Sequence, residues 1–289
     1  MSEGLKVIGF VEGLPNRSVP ESWNIESHHR AADALDSALH ARIARMNERL
    51  RRIPGFEDKG SVLTDEGRID ADAFHADQGG PYGQERIMKD RESVKLYEQD
   101  FPGLVSPEKR FHDGELGEGA ALCVLNRFLG NRFLIVRTSK YDDYRNLVDF
   151  MVVDLEKGGK PICAIDEIVG SEEGNDRVRK KKERLNREQG MRLRYGVAAK
   201  DDGTLELGEF AHLPGIYAAI ERKDLKALFE SGADLSSDDG EPSEAEWGFF
   251  DRIIGSMRQY ITDVALPPDS PVYEFLRVAE ERLNRHLSE

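Results

Sequence analysis

The stretch from Glu115 to Ala199 constrains this chain most, because short strand-like runs follow one another there between helical patterns. Glu115–Leu129 carries Leu122, Leu125, Phe128 and Leu129 at helical spacing, and Gly130 and Asn131 end it. Phe133–Arg137 reads as a short buried strand and Leu147–Asp154 as the next. Gly158 and Gly159 mark a turn, so 147–154 and 161–169 predict a hairpin. Val178–Glu188 reads as a charged helix ended near Gly190, and Met191–Ala199 as another strand. The order helix, three strands, helix, strand predicts an α/β chain built on a mixed sheet of four or more strands.

The flanks read as helical. After an irregular lead-in, a helix over residues 22–50, with Ser22 or Ser27 as its cap, places Ile25, Ala32, Leu35, Leu39, Ile43, Met46 and Leu50 on one stripe. That stripe suits packing on the core or pairing with a second copy in a homodimer. Arg86–Asp100 predicts a short helix. Ile216–Phe229, Glu244–Tyr260 and Val272–Leu287 predict three more, separated by a polar, acidic and solvated loop at Gly232–Pro242. The expected organisation is an N-terminal helical extension at 1–107, an α/β core at 108–210 and a helical region at 211–289 packed on that core.

Composition narrows the function classes. With 39% apolar and 33% charged residues, the 289-residue chain can bury a real core. No apolar run approaches the roughly 20 residues that cross a bilayer, and the first ten residues do not read as a signal peptide, so the expectation is a soluble, cytoplasmic protein with no membrane partner. Cys123 and Cys163 both have apolar neighbours and read as buried small hydrophobes. The seven histidines form neither HExxH nor a Cys/His cluster. A net charge of −14 disfavours broad contact with nucleic acid. The charge is uneven, however: Arg177–Arg194 holds nine basic and two acidic residues, a local patch for a phosphate backbone. GxGxxG, GxxxxGK[ST] and GxSxG are absent, which removes the common nucleotide-loop and nucleophile-elbow readings.

Five polar residues fall where the apolar pattern expects packing. Glu118 shares the apolar side of its helix with Ala121 and Leu125. Asp149 interrupts the second strand, and Asp166 and Glu167 interrupt the third, where an uncompensated carboxylate is costly. Lys182 sits on the inward stripe of the charged helix, between Val178 and Leu185. Two carboxylates on adjacent strands converge if they share a sheet face, and such oxygen ligands suit Mg²⁺ or Mn²⁺. Asp142 and Asp143 read as residues of a polar turn ahead of the second strand, with hydrogen bonds that support the site's ligands as the alternative.

This core, with the segment Ser139–Asp149 followed by Ala164–Ile168, resembles the PD-(D/E)xK nuclease superfamily, and more narrowly bacterial proteins assigned to it. The resemblance covers about 115–185. It implies a restriction-endonuclease-like mixed sheet and metal-dependent phosphodiester hydrolysis. It assigns Asp149 to the first motif, Asp166 to the second, and Glu118, with Glu115 as the alternative, to the first helix. Val148 stands where the motif has proline, and Ile168 where it has lysine. Lys182 then replaces that lysine from the following helix, with Lys180 or Lys181 as alternatives, while Arg177, Arg179, Lys180 and Lys181 hold flanking phosphates. The expected function is Mg²⁺- or Mn²⁺-dependent cleavage of nucleic acid, DNA ahead of RNA. The competing expectation is a nuclease-like fold without catalysis that binds protein or nucleic acid.

Overall fold

A computed structural model describes residues 25–51, 62–104, 112–169, 183, 190–200, 202–237, 240–264 and 266–288. Its centre is a four-stranded mixed sheet of β1 (Phe133–Arg137), β2 (Phe150–Asp154), β3 (Lys160–Val169) and β6 (Gly215–Ile220), in the order β1-β2-β3-β6. β1, β2 and β3 pair antiparallel, and β6 lies parallel to β3. Every residue of β1 and β2 is buried, as continuous apolar strands require when both sheet faces are covered. The expected hairpin over 147–154 and 161–169 is present as β2 and β3, but β2 begins only at Phe150: Leu147 closes a turn, so Asp149 lies just outside the strand it was expected to interrupt.

α3 (Asp113–Leu129) packs across β1 and β3 and is covered in turn by α1 (Ile25–Arg51). Asp113 and Glu115 in its first turn and Arg127 in its last oppose the helix dipole with the favourable sign. α1 approaches closely at Gly119, where an added Cβ would stand 2.6 Å from Leu35 Cδ2. The stripe Ala32, Leu35, Ile43, Met46 and Leu50 is buried within this chain. It is therefore spent on α3 and β1, and the homodimer expected through residues 22–50 loses its motive.

The structure corrects three further expectations. Residues 216–220 were expected to open a helix but belong to β6, and the helix begins only at α4 (Arg222–Glu230). The expected boundary at 210 therefore separates the sheet's fourth strand from the core to which it belongs. Met191–Ala199, β4, does not join the main sheet; it pairs antiparallel with β5 (Leu205–Leu213) in a two-stranded ribbon packed against β2 and β3. The acidic loop after α4 is tethered: Arg42 donates to the carbonyls of Leu235 at 3.1 Å and Ser237 at 2.9 Å, and Arg127 to that of Asp234 at 3.0 Å. Burial lowers the Arg42 guanidinium pKa to about 10.

The helical tail packs on the core as expected. α5 (Glu244–Val264) buries Phe250, Ile254 and Met257, and Phe250 stacks on Phe128 of α3 at 4.5 Å. In α6 (Pro271–His286), Phe275 meets Phe133 of β1 edge-on at 5.2 Å. Cys123 and Cys163 are buried free thiols, as expected. No helix among the described residues is long and apolar enough to cross a membrane.

A surface cluster ties α6 to β1 and β2. Arg277 and Arg132 both hydrogen-bond Glu274, at 2.8 Å each, and hold its carboxyl at a pKa of about 2, below the usual 4.5. The stabilisation from this depressed carboxyl is complete above about pH 4.5 and fades as pH falls toward 2. Glu274→Gln is expected to lower Tm slightly at pH 7, because solvent screens the group, with the gap to the parent narrowing at about pH 3. Paired thermal melts at the two pH values check this, and a gap that widens in acid contradicts it.

Candidate metal centre

Two buried arginines organise the site. Arg137 ends β1 and Arg68 lies beside it, joined through an isolated parallel bridge and the Ile69 N–H donating to the Arg137 carbonyl at 2.9 Å. Glu118 stands one turn into α3 between Gly117 and Gly119, and is 7% exposed. Its carboxylate accepts from Arg137 Nε at 2.6 Å and from Arg68 Nη2 at 3.2 Å. Burial alone would raise its pKa, but Arg137 and Arg68 outweigh burial and hold it below the ordinary value. Arg137 also reaches Glu115 at 2.7 Å, and Arg68 reaches Asp143 at 3.1 Å.

The loop between β1 and β2 delivers the remaining carboxylates. Residues Asp142–Asn146 form a π turn, closed by Leu147 in the left-handed region at φ 58°. A leucine there is strained, and both features concentrate where surrounding structure holds a functional loop. Asp142 holds this loop. It is fully buried and accepts from Ser139 Oγ at 2.8 Å, Asn146 Nδ2 at 2.6 Å, and the backbone N–H groups of Arg194 and Tyr195 on β4 at 2.7 and 3.0 Å. Burial nevertheless pushes its carboxyl pKa up.

Asp149 lies just ahead of β2, at the end of the β2–β3 ladder. Its N–H donates to the Ile165 carbonyl at 3.0 Å, while its carbonyl accepts from Thr138 on the β1 side at 2.8 Å. The Glu167 N–H is met instead by Asp149 Oδ2, at 2.5 Å. One carboxylate oxygen from each of Glu118, Asp143 and Asp149 lies within 4.8 Å of the others.

Of the residues singled out by sequence, the structure brings Glu118 and Asp149 together, with Glu115 one ion pair away on Arg137. Asp166 is 2% exposed and pairs in register with Tyr217 of β6; its charge helps raise the hydroxyl pKa of Tyr260 on α5, which burial raises most. It is not a member of the three-carboxylate group. Glu167 contributes its backbone N–H. Lys182 and the phosphate contacts Arg177, Arg179, Lys180 and Lys181 lie outside the described residues, as does the expected helix over 178–188 apart from Glu183. Arg68 and Arg137 escaped the sequence reading, which placed Asp143 in a turn and not among the metal ligands. The consecutive aspartates ahead of β2 were the one signal for Asp143, and a turn explained them equally well.

The donor set fits a hard divalent cation: three carboxylates close together, all oxygen, at a partly buried position. Glu115, Glu118, Asp143 and Asp149 gather around the two guanidiniums of Arg68 and Arg137. No protein-family model, curated protein or solved structure matches this chain.

Proposed function

We propose that this protein hydrolyses phosphodiester bonds of nucleic acid, DNA ahead of RNA, with Mg²⁺ or Mn²⁺ held by Glu118, Asp143 and Asp149. The convergence of these three carboxylates within 4.8 Å carries the reading. The topology supports it: a helix, three antiparallel strands, a crossover and a strand parallel to the third follow the order that the nuclease resemblance implies. In this reading Asp143 takes the place first given to Asp166, and β6 rather than β4 is the last strand of a restriction-endonuclease-like core.

A bound divalent ion supplies Lewis acidity, polarising the phosphate and lowering the pKa of a water molecule. The chain does the rest. Arg137 and Arg68 keep Glu118 ionised, so it serves as ligand or proton acceptor and not as an acid. Asp149 is oriented by the Glu167 N–H, which donates to its Oδ2. Asp142 fixes the turn that carries Asp143. Lys182 is the cation assigned to the charge that grows on the phosphate, and Arg177–Lys181 grip the flanking backbone.

A second reading has its own observation. Arg68 and Arg137 already ion-pair Glu115, Glu118 and Asp143, so the cluster can serve purely to lock α3 onto the sheet in a binding module without catalysis. Calorimetric titration with Mn²⁺ separates the two. The metal reading expects saturable binding in the parent, weakened by about 100-fold or more in Asp143→Asn and Asp149→Asn while both stay folded. Asp166→Asn is expected to retain binding. Absence of Mn²⁺ binding in the parent establishes the ion-pair reading.

A cleavage assay follows for the catalytic cation. Lys182→Ala is expected to bind Mn²⁺ normally yet cut DNA about 100-fold more slowly, the usual scale for losing one charge-stabilising donor. Unchanged cleavage removes Lys182 from the mechanism.

A further inference from the structure

A cleft of about 460 Å³ opens beside the carboxylate group, between α2 (Gln84–Asp100), the loop at 64–71 and the segment Ser139–Tyr141 that leads into the π turn. Arg68 belongs to both: it lines the cleft and holds Glu118 and Asp143. The volume lies in the range of small-ligand sites and accommodates a nucleoside. Its walls include Ile69, Ala71 and Val94, together with the ring of Tyr141, over which the Arg194 guanidinium sits at 4.4 Å.

The cleft's charge argues against a phosphate pocket. Five carboxylate side chains and four basic ones line it, so it gives an anion no net attraction. An apolar slot with an aromatic wall and carboxylate acceptors instead matches a neutral, planar ring that carries N–H donors. Every nucleobase offers a stacking face, and bases differ in the donors they show on their edges. Glu98 is the acceptor best placed to read them. It lines the cleft beside Val94, its side chain is 20% exposed, and its Oε1 holds Lys140 at 3.5 Å and accepts from the Tyr144 hydroxyl at 3.4 Å, which leaves Oε2 facing the base.

We infer that this cleft receives an unstacked nucleobase bearing an amino group, guanine foremost, with Glu98 accepting from its N1–H and N2 amino group. The inference deepens the proposed function and rests on it in treating the base as part of the nucleic-acid substrate. The base would leave the stack and enter the cleft while its phosphate lies toward Arg68 and the carboxylates, which makes the substrate single-stranded or locally opened. A protein that reads a base in this way prefers cleavage next to guanine.

The test uses the whole protein and free nucleosides in EDTA, so that neither metal nor phosphate contributes. Guanosine, adenosine, cytidine and thymidine are titrated by saturation-transfer NMR against the parent, Glu98→Gln and Val94→Phe. Guanosine is expected to bind at least ten-fold more tightly than thymidine. Glu98→Gln should erase most of that preference. Val94→Phe, at a half-buried helix position, fills the slot and should weaken every nucleoside ten-fold or more while Mn²⁺ binding is unchanged. Failure of all four nucleosides to bind overturns the inference, as does equal binding by parent and Val94→Phe. Loss of the Mn²⁺ result with nucleoside binding intact would instead sink the metal reading and leave the base cleft standing.

Discussion

Arg137→Met is expected to destabilise the fold by about 3–5 kcal/mol, among the largest effects of any single change at the site. Arg137 is 2% exposed and holds two carboxylates at once, Glu118 at 2.6 Å and Glu115 at 2.7 Å. Methionine fills much of the space of the side-chain stem but leaves Glu118 buried with Arg68 as its remaining guanidinium contact. The cost comes mainly from that stranded charge and less from lost attraction. The double variant Arg137→Met with Glu118→Met removes both charges together, and replacing a whole buried pair by apolar groups is often close to neutral. Urea denaturation of the two singles and the double therefore expects strong non-additivity, with the double more stable than Arg137→Met alone. Additive losses would show that the ion pair is not what holds α3 to β1.

Asp142→Ala is expected to cost about 3–5 kcal/mol, since it strands several buried donors at once. Two of these are backbone N–H groups of β4, at Arg194 and Tyr195, which cannot turn elsewhere. The other two are Ser139 and Asn146 within the turn. Ser139→Ala gives up one of these four bonds together with the Asp142 N–H bond to Ser139 Oγ at 3.1 Å, and is expected to cost about 1–2 kcal/mol. The site adds a second readout. Asp143 rides on the turn that Asp142 fixes, so Asp142→Ala should also weaken Mn²⁺ binding under conditions where the variant is still folded. A variant that loses stability but keeps full metal affinity would show that the turn holds its shape without this anchor.

Local pattern carried much of the fold. Phe133–Arg137 appears as read, and α3, α5 and α6 begin and end within a few residues of expectation, because apolar spacing and Gly or Pro punctuation define them without reference to the rest of the chain. β6 was read as helix for a physical reason. Gly215–Ile220 is a short apolar run containing two alanines, and such a run acquires strand character only from a partner, here β3, whose pairing partners lie about fifty residues earlier in the chain. β5 was missed because Leu205–Leu213 carries Glu206, Gly208 and Glu209, a mixture with weak strand propensity that the β4 register overrides.

The site divided the same way. Glu118 and Asp149 stood out because each is a carboxylate inside an apolar pattern. Asp143 did not, since a carboxylate in a polar turn is unremarkable until the π turn and Leu147 aim it inward. Arg68 contacts Glu118 across fifty residues of chain, a pairing that no local pattern encodes.

The parallel pairing of β6 with β3 also bears on how the chain assembles. β1, β2 and β3 are consecutive and antiparallel, so they close through short connections and can pair early. The fourth strand begins at Gly215, well beyond the end of β3 at Val169, and must close a long loop before it can dock. During synthesis, β3 therefore leaves the ribosome with one edge bare, and that edge stays open to mispairing with other chains until β6 follows. The hydrogen-bonding edge of Ala164–Val169 is the point at which a nascent or truncated chain is most exposed to aggregation, and any fragment that stops short of Ile220 inherits that exposure permanently.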